Sequence, residues 1–139
     1  MIKTDSVGIG PRVVSHGESI TFSTWDFGGQ SVFHNLHHLF PSRYSVYLVV
    51  FKMTSILSER GKAVEMVRYW LNSLALHAKG APILLVGTHK DEVKESQEHK
   101  FISDFLFEIL GDRLEHVVPF AKEEEDGLWF FPIDNSMSD

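Results

Sequence analysis

The chain has 139 residues, of which 43% are hydrophobic and 23% charged, and its formal net charge is −6. This composition is typical of one globular domain, and the negative balance argues against a protein that coats nucleic acid, since phosphate backbones need clustered Lys and Arg. The chain contains no cysteine, which excludes disulfides and Cys-based zinc sites.

No segment has the pattern of a membrane anchor or a signal peptide. The longest strongly apolar run, Val46–Phe51, is far shorter than the roughly 20 residues that a membrane-spanning helix needs. Met1–Pro11 lacks the apolar stretch of a secretory signal. We therefore expect a soluble, cytoplasmic protein that does not span a membrane.

The first half of the chain predicts a hairpin, a short helix and a strand. Arg12–Ser15 and Ser19–Trp25 are rich in β-forming residues, and His16-Gly17-Glu18 separates them as a turn. Ser31–Phe40 predicts a short, irregular helix. Tyr44–Phe51 is a continuous apolar run without alternation, which predicts a strand that is buried on both faces.

The second half alternates between predicted helices and strands. Apolar residues at helical spacing predict helices over Ser58–Lys79 and Ser96–Leu110, each followed by a glycine in the position of a C-terminal cap. Ile83–Val86 and Leu128–Ile133 are apolar runs that predict further strands. This alternation indicates an α/β fold with a mostly parallel sheet.

Three polar segments follow three of the predicted strands. Asp26–Gln30 follows the hairpin, Thr88–Asp91 follows the strand at residues 83–86, and Asp134–Ser136 follows the last strand. Loops at the carboxyl ends of parallel strands share one edge of a sheet, and ligands bind at that edge. We therefore expect the three segments to converge on a single site.

The Asp26-Phe27-Gly28-Gly29-Gln30 segment suits a phosphate and a metal ion. A carboxylate holds Mg²⁺ directly or through its waters. A glycine lets a backbone N–H approach a terminal phosphate, and a neighbouring glutamine amide orients an attacking water because it both donates and accepts hydrogen bonds. The alternative is that these residues only cap the end of a strand.

Asp91 suits the base of a guanine nucleotide. A carboxylate is a pure acceptor that takes two parallel N–H bonds, and guanine offers such a donor pair whereas adenine does not. The alternatives are an ordinary polar loop and the N-cap of the following helix.

Together these segments resemble the motifs of Ras-like GTPases, and in particular of Roc domains, which occur in leucine-rich-repeat kinases and related complex proteins. Trp25–Gln30 with the following Val32-Phe33-His34 resembles the switch II motif. Thr88-His89-Lys90-Asp91 resembles the base-reading motif Asn-Lys-x-Asp, which in Roc proteins is often Thr-His-x-Asp. Phe131–Ser136 resembles the last strand and the loop behind the guanine, and Ser6-Val7-Gly8-Ile9 resembles switch I.

The resemblance implies a Ras-like three-layer fold that binds GTP or GDP with Mg²⁺, hydrolyses GTP and acts as a nucleotide-dependent signalling switch. It implies that Asp26 and, more weakly, Ser6 bind the metal, that Gly29 contacts the γ-phosphate and that Gln30 is the catalytic residue that orients the water. The residues implied to hold the nucleotide base are Thr88, His89, Asp91, Asn135 and Ser136. A lone hydroxyl near a terminus, such as that of Ser6, carries little information and is more typical of an ordinary residue without a role in binding.

One motif of such enzymes is missing. The 139 residues contain no Gly-x-x-x-x-Gly-Lys-Ser/Thr segment to cradle the phosphates. We therefore expect a partial Roc domain over residues 1–139, with a switch I-like segment at 1–11, a core at 12–136 and a tail at 137–139, that lacks the first, central strand, the phosphate loop and the first helix. Such a chain is a fragment or a truncated form, and we expect it to bind GTP poorly or not at all by itself.

A non-catalytic pseudo-GTPase or a protein-interaction fragment is the alternative. The missing central strand would leave open sheet edges, and an open apolar edge invites pairing with another chain. The retained Gln30 and Asp91 favour descent from an active enzyme. The expected partners are a guanine nucleotide, proteins that contact the switch regions or the sheet edge, and a second copy in a Roc-type dimer.

Overall fold

The structure is a computed structural model that describes residues 7–14, 18–25, 45–122 and 125–134. The chain forms two compact units, Met1–Phe40 and Pro41–Asp139. The helix predicted over Ser31–Phe40 lies outside the described residues. So do these predicted site residues: Ser6, Asp26, Gly29, Gln30, Asn135 and Ser136.

The described part of the first unit is an antiparallel hairpin of β1 (Val7–Val14) and β2 (Glu18–Trp25). Val14 pairs with Glu18 at one end of the two strands, and Val7 pairs with Trp25 at the other. This confirms the predicted antiparallel pairing, but β1 begins five residues before the predicted Arg12, and Glu18 belongs to β2 and not to the predicted turn. The added residues include two glycines and a proline, whose weak strand preference is overridden by pairing with β2.

The second unit contains a parallel sheet with the strand order β3-β4-β7. β3 (Tyr47–Lys52) pairs with β4 (Ile83–Thr88), and β4 pairs with the short β7 (Phe131–Pro132). The predicted α/β fold with a mostly parallel, Ras-like sheet is therefore confirmed.

Helices connect these parallel strands. The β3–β4 connection contains α1 (Met53–Ser58) and α2 (Arg60–His77), and α3 (Ser96–Leu110) follows β4 and continues into a 3-10 turn at Gly111–Arg113. Since the strand order follows the chain order, right-handed connections place α2 and α3 on the same face of the sheet. The core between helices and sheet includes Val49, Phe51, Val67, Leu71, Leu85, Ile102, Leu106 and Phe130.

The two faces of β3 differ in exposure. Val49 and Phe51 are buried, whereas Leu48 is 61% and Val50 is 52% exposed. The expectation that this strand is buried on both faces is therefore wrong for the described structure. The strand is apolar on both faces, but the two long helices cover only one of them.

The predicted helix ends differ in their geometry. Gly80 after α2 has φ +85°, which confirms the need for a residue that adopts the left-handed conformation there. Gly111 after α3 has the right-handed values φ −52° and ψ −40°. The chain therefore tightens into the 3-10 turn at that glycine and does not stop there.

The last strands of the described chain are shorter and more interrupted than the sequence predicts. β5 (Phe120–Lys122) and β6 (Glu125–Leu128) form a small antiparallel hairpin, and a bend at Trp129 and Phe130 separates β6 from β7. The single strand predicted over Leu128–Ile133 is thus two strands that belong to different sheets. In the part of the chain that the structure describes, no helix combines the length and apolarity needed to cross a bilayer.

Candidate functional site

The Thr88–Asp91 segment lies where β4 ends, at the predicted ligand-binding edge of the sheet. Gly87 accepts a hydrogen bond from the amide of Ile133 (2.8 Å), and the amide of Lys90 donates to the carbonyl of Ile133 (3.2 Å). The segment that follows β7 is therefore hydrogen-bonded to the end of β4 and to the loop that follows it. Asp134, which comes next, is exposed, and Asn135 and Ser136 lie beyond the described residues.

Two of the three predicted polar segments therefore begin side by side. The third, Asp26–Gln30, lies outside the described residues. The convergence of Asp26, Asp91 and Asn135 on one pocket stays a prediction.

Thr88 connects the ends of β3 and β4. Its side chain is buried, and its hydroxyl donates a hydrogen bond to the carbonyl of Phe51 over 3.2 Å. The same oxygen lies 2.9 Å from Nδ1 of His89. Because the hydroxyl has a single hydrogen, Nδ1 of His89 is the donor in this second contact. The Nε2 atom of a neutral His89 ring is then left as an acceptor.

His89 has an unusual backbone conformation. Its φ is +65°, a region that residues other than glycine seldom occupy. Its carbonyl accepts hydrogen bonds from the amides of Glu92 (3.0 Å) and Val93 (3.1 Å), so the loop turns sharply around Asp91. Strained backbone positions cluster at functional sites, where the surrounding structure holds them in place.

Asp91 carries an unsatisfied buried atom. Its Oδ1 is shielded from solvent and has no hydrogen-bond partner among the described residues. Leaving such an acceptor unpaired costs roughly 1–3 kcal/mol, and a native protein rarely tolerates this without a reason. A ligand with adjacent N–H donors, such as guanine, would satisfy this carboxylate once the atoms that shield Oδ1 move aside.

The described residues contain no group of three His, Asp or Glu side chains arranged to hold a metal ion. The predicted Mg²⁺ ligands, Asp26 and Ser6, are outside this part of the chain. The magnesium site therefore remains a prediction that rests on the motif alone.

Sequence reasoning missed several residues that support the loop. Phe51 accepts the Thr88 hydrogen bond, Phe130 packs against Gly87, and His99 contacts the carbonyl of Val93. A signal for His99 was present, since it lies at helical spacing from Ile102 and Leu106 on the apolar face of α3. A histidine at such a position needs a buried hydrogen-bond partner.

The family model described as "Ras of Complex, Roc, domain of DAPkinase" matches residues 3–91. This range includes both the Asp26–Gln30 and the Thr88–Asp91 segments.

Several curated proteins are similar to the chain over most of its length. The probable serine/threonine-protein kinase pats1 of Dictyostelium discoideum is 40% identical over 61% of the chain, which spans 2% of that protein. The leucine-rich repeat serine/threonine-protein kinase 1 of Caenorhabditis elegans is 30% identical over 78% of the chain, which spans 4% of that protein. The cyclic GMP-binding protein C of D. discoideum is 42% identical over 52% of the chain, again 2% of that protein. The chain thus corresponds to a small part of each relative.

Proposed function

Because the chain belongs to the Roc domain family, we propose that its Thr88–Asp91 loop binds the base of GTP or GDP and that the domain acts as a guanine-nucleotide-dependent switch. The observation that carries the proposal is the buried Oδ1 of Asp91, which has no hydrogen-bond partner among the described residues. Guanine supplies N1–H and an exocyclic amino group side by side, and a carboxylate accepts both.

Thr88 and His89 support base recognition in different ways. The Thr88 hydroxyl is already engaged with Phe51, so its role is to hold the loop in place. His89 is half-buried, and its ring is oriented by its contact with Thr88. We assign to this ring a packing contact with the base. Asn135 and Ser136 come shortly after Ile133, whose carbonyl accepts a hydrogen bond from the amide of Lys90. They complete the proposed base site.

The phosphates and Mg²⁺ belong to the other predicted segment. We propose that Asp26, with a weaker contribution from Ser6, serves the metal, that Gly29 contacts the γ-phosphate and that Gln30 orients the attacking water. The 139 residues include no Gly-x-x-x-x-Gly-Lys-Ser/Thr segment. Hydrolysis therefore depends on a phosphate loop from outside these residues, and base recognition is the step that this chain can perform by itself.

The names of two of the relatives describe kinases. We propose that the domain serves as a switch within a protein of that general kind, in which nucleotide exchange changes the contacts of the switch I and switch II segments with their partners. A second copy of the domain and the other domains of such a protein are the proposed partners.

Binding of a nucleoside monophosphate tests base recognition without a phosphate loop. We expect guanosine monophosphate to shift the backbone amide signals of Lys90–Val93 in a ¹H–¹⁵N NMR titration, with a Kd on the order of 1 mM because few contacts contribute. Adenosine monophosphate is the matched ligand control and should leave these signals unmoved. Equal shifts with both nucleotides would exclude a guanine site.

The variant Asp91→Asn sharpens the test. An asparagine amide donates where the carboxylate accepted, so it should lose guanosine monophosphate and gain xanthosine monophosphate, whose C2 carries a carbonyl in place of the amino group. Asp104→Asn is the matched control, since Asp104 is an exposed carboxylate on α3. If Asp91→Asn kept its preference for guanine, the proposed contact would be wrong.

The exposed apolar face of β3 favours a second candidate function, that of a non-catalytic interaction module. Leu48 and Val50 in β3, together with Val46 just before the strand, are each more than half exposed, and contiguous apolar surface of this kind marks interaction sites. A sedimentation experiment discriminates the two candidates. Concentration-dependent association that is abolished by Leu48→Lys, together with no response to guanosine monophosphate, would favour the interaction module.

A further inference from the structure

Among residues 45–120 and 127–134, whose side-chain burial the structure describes, the buried polar side chains are those of Thr88, His99 and Ser103. Each bonds to the backbone of a segment near the ends of the strands. Thr88 donates to the carbonyl of Phe51, and Ser103 accepts from the amide of Trp129 over 2.9 Å. His99 contacts the carbonyl of Val93 over 2.6 Å. These side chains fix loops, and His99 fixes the loop that contains Asp91.

The geometry defines the state of the His99 ring. A carbonyl oxygen only accepts hydrogen bonds, so Nε2 of His99 carries the hydrogen in this contact. The ring also meets Phe130 edge to face, with centroids 6.4 Å apart and an angle of 83° between the planes. Phe130 is fully buried and packs against Gly87, the residue before Thr88. The ring is therefore held in its orientation by the same side chain that packs under the end of β4.

Val93 closes the loop through both of its backbone groups. Its amide donates to the carbonyl of His89, and its own carbonyl accepts from His99. Its side chain is buried in the core. Asp91 lies between His89 and Val93, so the position of its carboxylate depends on how firmly Val93 is held.

We propose that His99 is a positioning residue for base recognition, which acts by donating Nε2–H to Val93 and so holding Asp91 in register with the nucleotide base. The inference rests on the proposed function, but its first consequence concerns the loop without any nucleotide. Removal of the donor leaves the carbonyl of the buried Val93 unpaired, a situation that folded proteins avoid by local rearrangement. The rearrangement would occur at Asp91 and its neighbours, because α3 and β4 are fixed by their packing in the core.

Two substitutions of His99 distinguish the contribution of its aromatic ring from that of its hydrogen-bond donor. His99→Phe keeps an aromatic ring against Phe130 but has no hydrogen to donate, whereas His99→Gln supplies an amide N–H that reaches toward Val93. Ser103→Ala is the matched control. It removes a part-buried hydrogen bond one turn later on the same face of α3, but that bond holds Trp129 and not the loop after β4.

Amide hydrogen exchange without nucleotide is the first measurement. We expect His99→Phe to speed exchange at the amides of Glu92 and Val93 by about tenfold relative to the amides within β4, and His99→Gln to restore much of the protection. Ser103→Ala should speed exchange at Trp129 and leave Glu92 and Val93 unchanged. Uniformly faster exchange across β4 and α3 in His99→Phe, or the same loop response in Ser103→Ala, would reduce His99 to an ordinary core residue and overturn the proposal.

The unsubstituted chain provides a readout that does not depend on the variants folding. A long-range ¹H–¹⁵N spectrum of the His99 ring should show the hydrogen on Nε2. A ring with its hydrogen on Nδ1 alone contradicts the proposed donor.

Titration with guanosine monophosphate is the last arm, and it separates the two proposals. If the unsubstituted chain shows no response, the proposed function fails. The exchange result then still decides whether His99 holds the loop that contains Asp91. If it responds, we expect His99→Phe to weaken binding by about tenfold and His99→Gln by less. Undiminished binding by His99→Phe would show that Asp91 does not need this support.

Discussion

Phe51 in β3 and Phe130 just before β7 lie on opposite sides of β4, yet their ring centroids are only 5.5 Å apart. Gly87, in β4 between them, has no side chain, and the space beside it is filled by Phe130 and Met53. A Cβ at this position would lie 2.8 Å from Cδ2 of Phe130 and 2.8 Å from Cγ of Met53. Packing is therefore the reason that Gly87 is a glycine. Its backbone conformation is not the reason, because other residues adopt that conformation as well.

The substitution Gly87→Ala should destabilise the chain by roughly 1–3 kcal/mol, because a methyl group forces Phe130 out of a filled core. Chemical denaturation monitored by circular dichroism measures the loss. Gly61→Ala in α2 is the control, since a Cβ there meets nothing within 4 Å, and it should leave stability unchanged or raise it by up to about 1 kcal/mol. Equal effects of the two substitutions would contradict the packing role of Gly87.

The backbone of His89 provides a second prediction. At φ +65°, a β-branched residue is strained, so His89→Val should lower the free energy of unfolding by about 1–3 kcal/mol. His89→Asn should cost less, because asparagine tolerates the left-handed region. Both variants lose the contact with Thr88. The difference between their free energies of unfolding therefore isolates the cost of the strained backbone at position 89. The prediction is wrong if valine is tolerated as well as asparagine.

The hydroxyl of Thr88 is expected to stabilise the end of the sheet. Thr88→Val keeps the shape of the side chain but leaves the carbonyl of Phe51 and Nδ1 of His89 without this partner. We expect a loss of roughly 1–3 kcal/mol in thermal or chemical unfolding. Thr88→Ser retains the hydroxyl and should lose less. A valine variant as stable as the serine variant would mean that the hydrogen bond is dispensable.

The exposed face of β3 is tested by neighbouring substitutions with opposite expected results. Leu48→Lys and Val50→Lys place a charge on exposed positions, so they should lower the binding of the apolar dye ANS with little effect on folding. Val49→Lys buries an unpaired charge at a position that is 4% exposed, which should prevent stable folding. Circular dichroism and dye fluorescence report the two outcomes. Unaltered dye binding in the double variant Leu48→Lys/Val50→Lys would place the apolar surface elsewhere.

The sequence by itself determined the local elements and the position of the base-reading loop. The apolar spacing of Ala63, Val67 and Leu71 defines α2, whose bounds Arg60–His77 lie close to the predicted ones. Gly80 marks a left-handed residue, and the order of strands and helices is enough to predict a parallel sheet with Thr88–Asp91 at its carboxyl edge. These features depend on residues near one another in the chain, so a single sequence contains them.

The tertiary structure decided what depends on neighbours distant in sequence. An apolar strand such as β3 does not reveal which face is covered, because coverage depends on the hand of the connections that bring α2 and α3 to one side. Trp129 and Phe130 are residue types typical of strands, but the chain bends there. Phe130 packs on Gly87, and the amide of Trp129 donates a hydrogen bond to Ser103. The unpaired oxygen of Asp91 and the His99 contact with Val93 likewise appear only once the loop is closed against α3, since hydrogen-bond partners are a property of the folded arrangement.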